Sequence, residues 1–166
     1  MPVTTTAQRN THPVRRDKST ATMSVHQYEG DQGAHERTVL AARSSVRLLR
    51  DYAERTLIKW GLEARIDDVT LVVSELATNA VRARPDAQTG QITFRISLPR
   101  GSGLILVEMI DPYPGRPRLC NATEDDVHGR GLLIVSLLAE QTGYRDEPGG
   151  GKTVWSTLRI HPGAAP

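Results

Sequence analysis

A carboxylate and a side-chain amide stand four residues apart at Glu75 and Asn79, inside the mostly apolar run Leu71-Val-Val-Ser-Glu-Leu-Ala-Thr-Asn-Ala-Val81. On a helix that spacing sets both groups one turn apart on one face. There the carboxylate can take a proton from a hydroxyl, and the amide oxygen can hold a magnesium ion. Further along, Gly129-Arg-Gly-Leu-Leu133 opens a second apolar stretch with glycines at its start. Free backbone N–H groups and the positive dipole end of a helix favour phosphate at such a place. Between the two, Leu104-Ile-Leu-Val-Glu-Met-Ile110 reads as a strand that runs into Asp111, an acceptor placed to meet the amino group of a base. Taken in this order, the three features read as a nucleotide site.

Each feature also has a plain structural reading. Glu and Asn four apart occur on many helices as a solvated pair, but here they adjoin a face that expects burial, and buried polar groups require partners. The Gly129 to Gly131 segment could equally be an ordinary helix entry, and Asp111 before Pro112 could merely end a strand. His128 reads as a loop residue, since no second histidine or carboxylate stands near it at metal-binding spacing. Trp60 and Trp155 read as core, and Cys120 as an incidental loop thiol.

The elements that must position these groups follow from hydrophobic period and punctuation. Residues 1–34 are rich in Thr, Ser, Gln, Gly and Arg with few large apolar side chains, and predict a disordered tail. A short strand is expected over Glu36 to Leu40. Next comes a helix capped by Ser44 or Ser45, with an apolar stripe of Val46, Leu49, Ala53, Leu57 and Trp60, and Gly61 ends it. A second helix, capped by Asp67 or Asp68 and running to about Ala83, buries Val69, Val73, Leu76 and Ala80, and Pro85 stops it. Gln91 to Leu98 and Leu104 to Asp111 form a hairpin around Pro99-Arg-Gly-Ser-Gly103. The segment from Pro112 to His128 has no period and carries three prolines, which predicts a lid. Leu132 to Glu140 is a short helix, and Gln141 to Asp146 with Lys152 to Ile160 form a last hairpin around Pro148-Gly-Gly-Gly151. Paired hairpins with grouped helices argue an α+β fold whose antiparallel or mixed sheet is covered on one face.

Composition bounds the rest. With 166 residues, 38% of them hydrophobic, the chain suits one domain with a modest core. The net charge of +2 arises from scattered arginines without a dense basic block, which argues against direct nucleic-acid binding. No run approaches the roughly 20 apolar residues needed to span a bilayer, and the N-terminal residues lack the apolar centre of a signal peptide, so a cytoplasmic protein is expected. A single cysteine excludes an internal disulfide and a cysteine-rich zinc site. Gly149-Gly-Gly-Lys-Thr153 imitates a phosphate-binding P-loop, yet Asp146 stands where that pattern needs glycine, and Val154-Trp-Ser-Thr-Leu158 reads as a strand where it needs a helix. A dinucleotide-binding reading fails too, because no Gly-x-Gly-x-x-Gly follows a first strand.

Glu75-Leu-x-x-Asn79-Ala-Val, then Asp111 with Gly115 four residues later, then Gly129-Arg-Gly-Leu132, then Gly151-Lys-Thr-Val-Trp155, resembles the GHKL (Bergerat-fold) ATPase superfamily. Within it, the chain is similar to anti-sigma factor serine/threonine protein kinases of the RsbW and SpoIIAB type. The resemblance covers about residues 36–160. It implies a two-layer α/β sandwich, with a mainly antiparallel sheet, helices on one face, and ATP held under a mobile lid. Over the chain it implies an ATP-binding kinase domain at 35–161, between the N-terminal tail and a short tail at 162–166. By position it implies Glu75 as general base and Asn79 as the magnesium ligand. Asp111 becomes the adenine reader, Gly115, Gly129, Arg130, Gly131 and Leu132 line the nucleotide, and Thr153 lies near adenine. The first glycine box departs from the common Asp-x-Gly-x-Gly form, because Tyr113 occupies its first glycine. The cofactors implied are ATP and Mg2+, and the partners are a sigma factor and a small STAS-like anti-sigma antagonist, with homodimers common among such kinases. The sequence shows no phosphoacceptor-histidine helix pair and no receiver domain, which speaks against a sensor histidine kinase. A protein that binds ATP only to gate a partner, with little or no transfer, is the alternative, and an ATP hydrolase would need the same residues.

Overall fold

The computed structural model describes residues 11–13, 33–84, 90–115, 117 and 130–161. In chain order its strands are β1 (Thr11–Pro13), β2 (His35–Leu40), β3 (Gln91–Ser97), β4 (Leu104–Asp111), β5 (Gln141–Asp146) and β6 (Lys152–Arg159). The helices are α1 (Arg43–Lys59), α2 (Ile66–Ala83) and α3 (Arg130–Leu138), with a 3-10 turn over Glu63–Arg65 before α2. The sheet runs β1-β5-β6-β4-β3-β2, and every pairing in it is antiparallel. The α+β class and the order of elements after residue 34 agree with the sequence reading. One strand was not expected. Thr11–Pro13, inside the predicted tail, pairs with Gly143 to Arg145 and covers the outer edge of β5, an edge whose N–H and C=O groups would otherwise lack strand partners.

Two predicted helix caps move. α1 begins at Arg43 behind Ala42, which makes no side-chain cap. The backbone turn out of β2 sets this start, with Ala41 N–H donating to Gly90 O and Ala42 N–H to Leu40 O. Ser45 therefore falls in the first turn and is buried. α2 begins behind Arg65, so Asp67 and Asp68 lie within its first turn. There they complement the helix dipole, and Arg65 pairs with Asp68 at 2.8 Å. The other end of α1 follows its prediction. Gly61, at φ +69, lets its N–H reach Ile58 O while Leu62 N–H reaches Leu57 O, a complete Schellman cap. α2 ends at Ala83, and Arg84 takes the extended backbone (φ −66, ψ 126) that a residue before proline prefers.

The core lies between the helices and one sheet face. Strand alternation sends Ile92, Phe94 and Ile96 of β3 and Ile105, Val107 and Met109 of β4 to that face, with Phe94 opposite Met109 and Ile96 opposite Val107. They meet Val69, Val72, Val73, Leu76, Ala77 and Ala80 of α2 and Leu49, Ala53 and Leu57 of α1, while Val46 and Trp60 are partly buried against the cluster. β4 and β6 are buried on their other face as well. There Glu108 lies beneath Arg145 (2.9 Å) and Arg95 (3.6 Å), and Trp155 sits opposite Glu108, so this tryptophan is buried but outside the main core. No helix among the described residues is long and apolar enough to cross a membrane.

Gly61→Ala isolates the backbone requirement of the α1 cap, because nothing lies within 4 Å of the added methyl. It should lower unfolding free energy in urea by about 1 kcal/mol, the cost of holding an L-residue at positive φ. Leu57→Ala, on a fully buried side chain, should lose about 2–5 kcal/mol in the same measurement.

Candidate functional site

Asp111 ends β4, directly across from Lys152, which starts β6. Both are buried, with side chains 1% and 4% exposed. The Lys152 ammonium donates to Asp111 Oδ1 at 3.0 Å and to the Tyr113 carbonyl oxygen at 3.0 Å. Tyr113 N–H donates to the same Oδ1, also at 3.0 Å. The other carboxylate oxygen, Oδ2, is buried without a hydrogen-bond partner. Burial pushes the Asp111 carboxyl above the ordinary carboxylate range, and the hydrogen bond and charge of Lys152, with the Tyr113 N–H, oppose that shift. A buried acceptor without a partner is a costly feature in a folded chain. An incoming donor such as the amino group of adenine would satisfy it.

Close backbone approaches build this corner. Gly151 (φ +80) lies so near Asp111 O and the Pro112 backbone that a Cβ there would overlap both. Gly90 does the same for Tyr113, since its missing side chain is the space that the phenol fills. Tyr113 is 2% exposed and belongs to the core cluster. The residue that breaks the usual glycine box is thus a packing residue, seated against the start of β3. Its phenol oxygen is buried without a hydrogen-bond partner, and burial raises its pKa.

Topology turns the remaining elements toward the same end of the sheet. β3 begins beside the end of β4, and α2 leads into β3, so the C-terminal end of α2 lies near Asp111. The charge of Arg84, just past α2, accordingly acts on Tyr113. Asn79 stands five residues before Arg84, about 7 Å along the axis, and Glu75 one turn further back. Both are partly exposed, beside the buried Leu76 and Ala80. α3 packs against α2 and β5. It reaches β5 through only Ala139 and Glu140, so it folds back along that strand and its N-terminal end lies toward Asp146 and Lys152.

Several expected site residues are thereby placed and others are not. Asn79, Asp111 and the backbone start of α3 over Arg130, Gly131 and Leu132 lie toward one end of the α/β interface, while Glu75 stands near the middle of α2. Gly115 is exposed, with φ +103, just beyond that end. Gly129, His128, Cys120 and the greater part of the expected lid lie outside the described residues. Thr153 is a correction. It pairs with Ile110, so strand alternation sends its side chain to the other face, where its hydroxyl donates to Glu147 Oε1 at 2.6 Å. The residue beside Asp111 is Lys152, which the sequence reading passed over. Period-2 alternation along Lys152-Thr-Val-Trp-Ser156 marks the two as facing opposite ways, but choosing between them needs the β4–β6 register. Among the described residues no group of three or more His, Cys, Asp or Glu could hold a metal ion.

A family model described as the histidine kinase-like ATPase domain matches residues 39–158. Comparison with curated proteins gave no match.

Asp111→Asn keeps the shape of the carboxylate but strands the buried ammonium of Lys152. It should destabilise the chain by about 3–5 kcal/mol in chemical unfolding. The double variant Asp111→Asn with Lys152→Met removes both charges and should recover most of that loss. Equal stabilities of the single variant and the parent would mean that the ion pair does not form in solution.

Proposed function

Because the chain belongs to the histidine kinase-like ATPase family, we propose that it binds ATP with magnesium at this end of the sheet and works as a protein serine/threonine kinase. Its substrate would be a hydroxyl of a small STAS-like antagonist, and another surface would hold a sigma factor. The observation that carries the nucleotide reading is the buried, unpartnered Oδ2 of Asp111, at the sheet end toward which α2 and the start of α3 point. The kinase reading draws on Glu75, since a domain that only holds ATP has no need of a proton acceptor one turn from Asn79.

In this reading Asp111 accepts from the exocyclic amino group of adenine. Asn79 would offer one hard oxygen to magnesium, which would supply positive charge to balance the phosphates. The backbone N–H groups at the start of α3 face the phosphates, where the helix dipole favours negative charge. The substrate hydroxyl oxygen would bond to the γ-phosphorus of ATP as the bond to the β–γ bridging oxygen breaks and ADP leaves, and Glu75 would accept the hydroxyl proton. The partner classes, a sigma factor and a STAS-like antagonist, and pairing into a homodimer rest on the resemblance of the motifs to anti-sigma factor kinases.

Glu75→Gln should leave ATP affinity within about twofold by calorimetry while transfer to the protein substrate falls roughly a hundredfold or more, the usual worth of general-base catalysis. Asn79→Ala should instead weaken the magnesium-dependent part of nucleotide binding. A Glu75→Gln protein that phosphorylates its antagonist at the parent rate would sink the catalytic role. A parent protein that binds ATP but leaves every STAS-like protein unmodified would turn the reading to ATP-gated sequestration.

A further inference from the structure

We propose that Lys152 is a positioning residue for base recognition. By occupying Oδ1 of Asp111 it leaves Oδ2 as the single acceptor for a purine amino group, so it sets the preference for a 6-amino purine over a 6-oxo purine. This rests on the nucleotide reading given above and goes beyond it, because it assigns the selectivity to an ion pair and not to the carboxylate alone.

The geometry carries the inference. A free aspartate presents two equivalent oxygens with about four lone-pair directions and can rotate about its terminal torsion. Here Oδ1 receives two donors, Lys152 Nζ and Tyr113 N–H, each at 3.0 Å, which fixes that torsion. Lys152 is itself held by the Tyr113 carbonyl and by its place at the start of β6 opposite Asp111. The one remaining oxygen is buried and has no partner. An amino group on the bound base satisfies it. A carbonyl oxygen at the same place sets two acceptors against each other, and a buried mismatch of that kind is strongly rejected. The hydrogen bond and charge of Lys152 oppose the upward shift that burial imposes on the carboxyl, which favours the ionised form, and an ionised acceptor forms the stronger bond. Among the described residues, the other charged or titratable groups near the pair are Tyr113, Arg84 at the end of α2, whose charge acts on Tyr113, and Asp146, the exposed cross-strand neighbour of Lys152 on β5.

The experiment compares ATP with inosine triphosphate, which carries oxygen in place of the amino group, by calorimetry on the full chain between pH 6.5 and 9. The parent protein should prefer ATP by about tenfold or more, and nearly uniformly over this range, as expected for one charge-assisted hydrogen bond. In Lys152→Met the buried carboxylate loses its counter-charge and takes up a proton. Its preference should shrink to about threefold or less at pH 7 and recover as pH rises. A loss of fold-level packing alone would lower both affinities together and leave their ratio and its pH profile unchanged, and that result would overturn the proposal. Should Lys152→Met fail to fold, the parent decides: a preference already lost at pH 7 would show that Lys152 does not hold the carboxylate in its accepting form. A parent that binds neither nucleotide would refute the nucleotide site itself, a distinguishable outcome.

Discussion

Antiparallel pairing of β4 with β6 sets Asp111 across from Lys152, and this one register brings a carboxylate and an ammonium together at the end of the two central strands. Removing both charges from water carries a penalty of several kcal/mol per ion, and attraction across 3.0 Å offsets it only when the remaining donors and acceptors are satisfied. Most of them are: the ammonium has a second acceptor in the Tyr113 carbonyl, and Oδ1 has a second donor in the Tyr113 N–H. Of the carboxylate's two oxygens, Oδ2 stays without a partner, as does the neighbouring Tyr113 hydroxyl. A site that rejects ligands lacking an amino group needs this kind of incompletely satisfied acceptor, held rigidly, and the imbalance is tolerable because the apolar layer beneath it is complete.

That layer does most of the positioning. Phe94, Met109 and Val107 lock β3 to β4, and the stripe of α2 seats on them, so the turn of helix that carries Glu75 and Asn79 cannot rotate without exposing Leu76 and Ala80. A large buried side chain contributes about 1.5–3 kcal/mol, so a handful of these outweighs the cost of one unsatisfied oxygen. The polar residues at the edge of α2 therefore take their orientation from apolar neighbours, and function is imposed on the helix by packing.

Much of this was legible in the chain. Three-and-four spacing gave α1 and α2, alternation gave the hairpins, and Gly61 and Pro85 stand close to where the two helices end. The places of Glu75 and Asn79 on α2 and of Asp111 at the end of β4 were readable because each element has a strong period. The misses come from irregular turns and from long-range pairing, neither of which a periodic pattern reports. Helix starts at Arg43 and Ile66 depend on the turn out of β2 and on the 3-10 turn, neither of which has a periodic signature. β1 is three residues of polar tail that become a strand only because the edge of β5 is there to receive them. Thr153 and Lys152 are adjacent in sequence and on opposite faces in space, so a one-residue difference in assignment exchanges the helix-covered side of the sheet for the other.

Tyr113 shows how the departure from the glycine box and the presence of Lys152 belong together. A glycine after β4 would leave the backbone at Asp111 to Tyr113 free to shift, and a lysine with a mobile partner would gain little from burial. The phenol instead fills the space above Gly90 and fixes the backbone, whose N–H and C=O then serve the carboxylate and the ammonium in turn. Gly151 completes the arrangement from the other strand, since only a residue without Cβ lets β6 approach Pro112 closely enough for Lys152 to reach over. Tyr113, Gly90, Gly151, Asp111 and Lys152 thus form one interlocked unit. The chain leaving β4 toward Gly115 starts from that unit, so a ligand that bonds to Asp111 acts directly on the first fixed point of the segment beyond it.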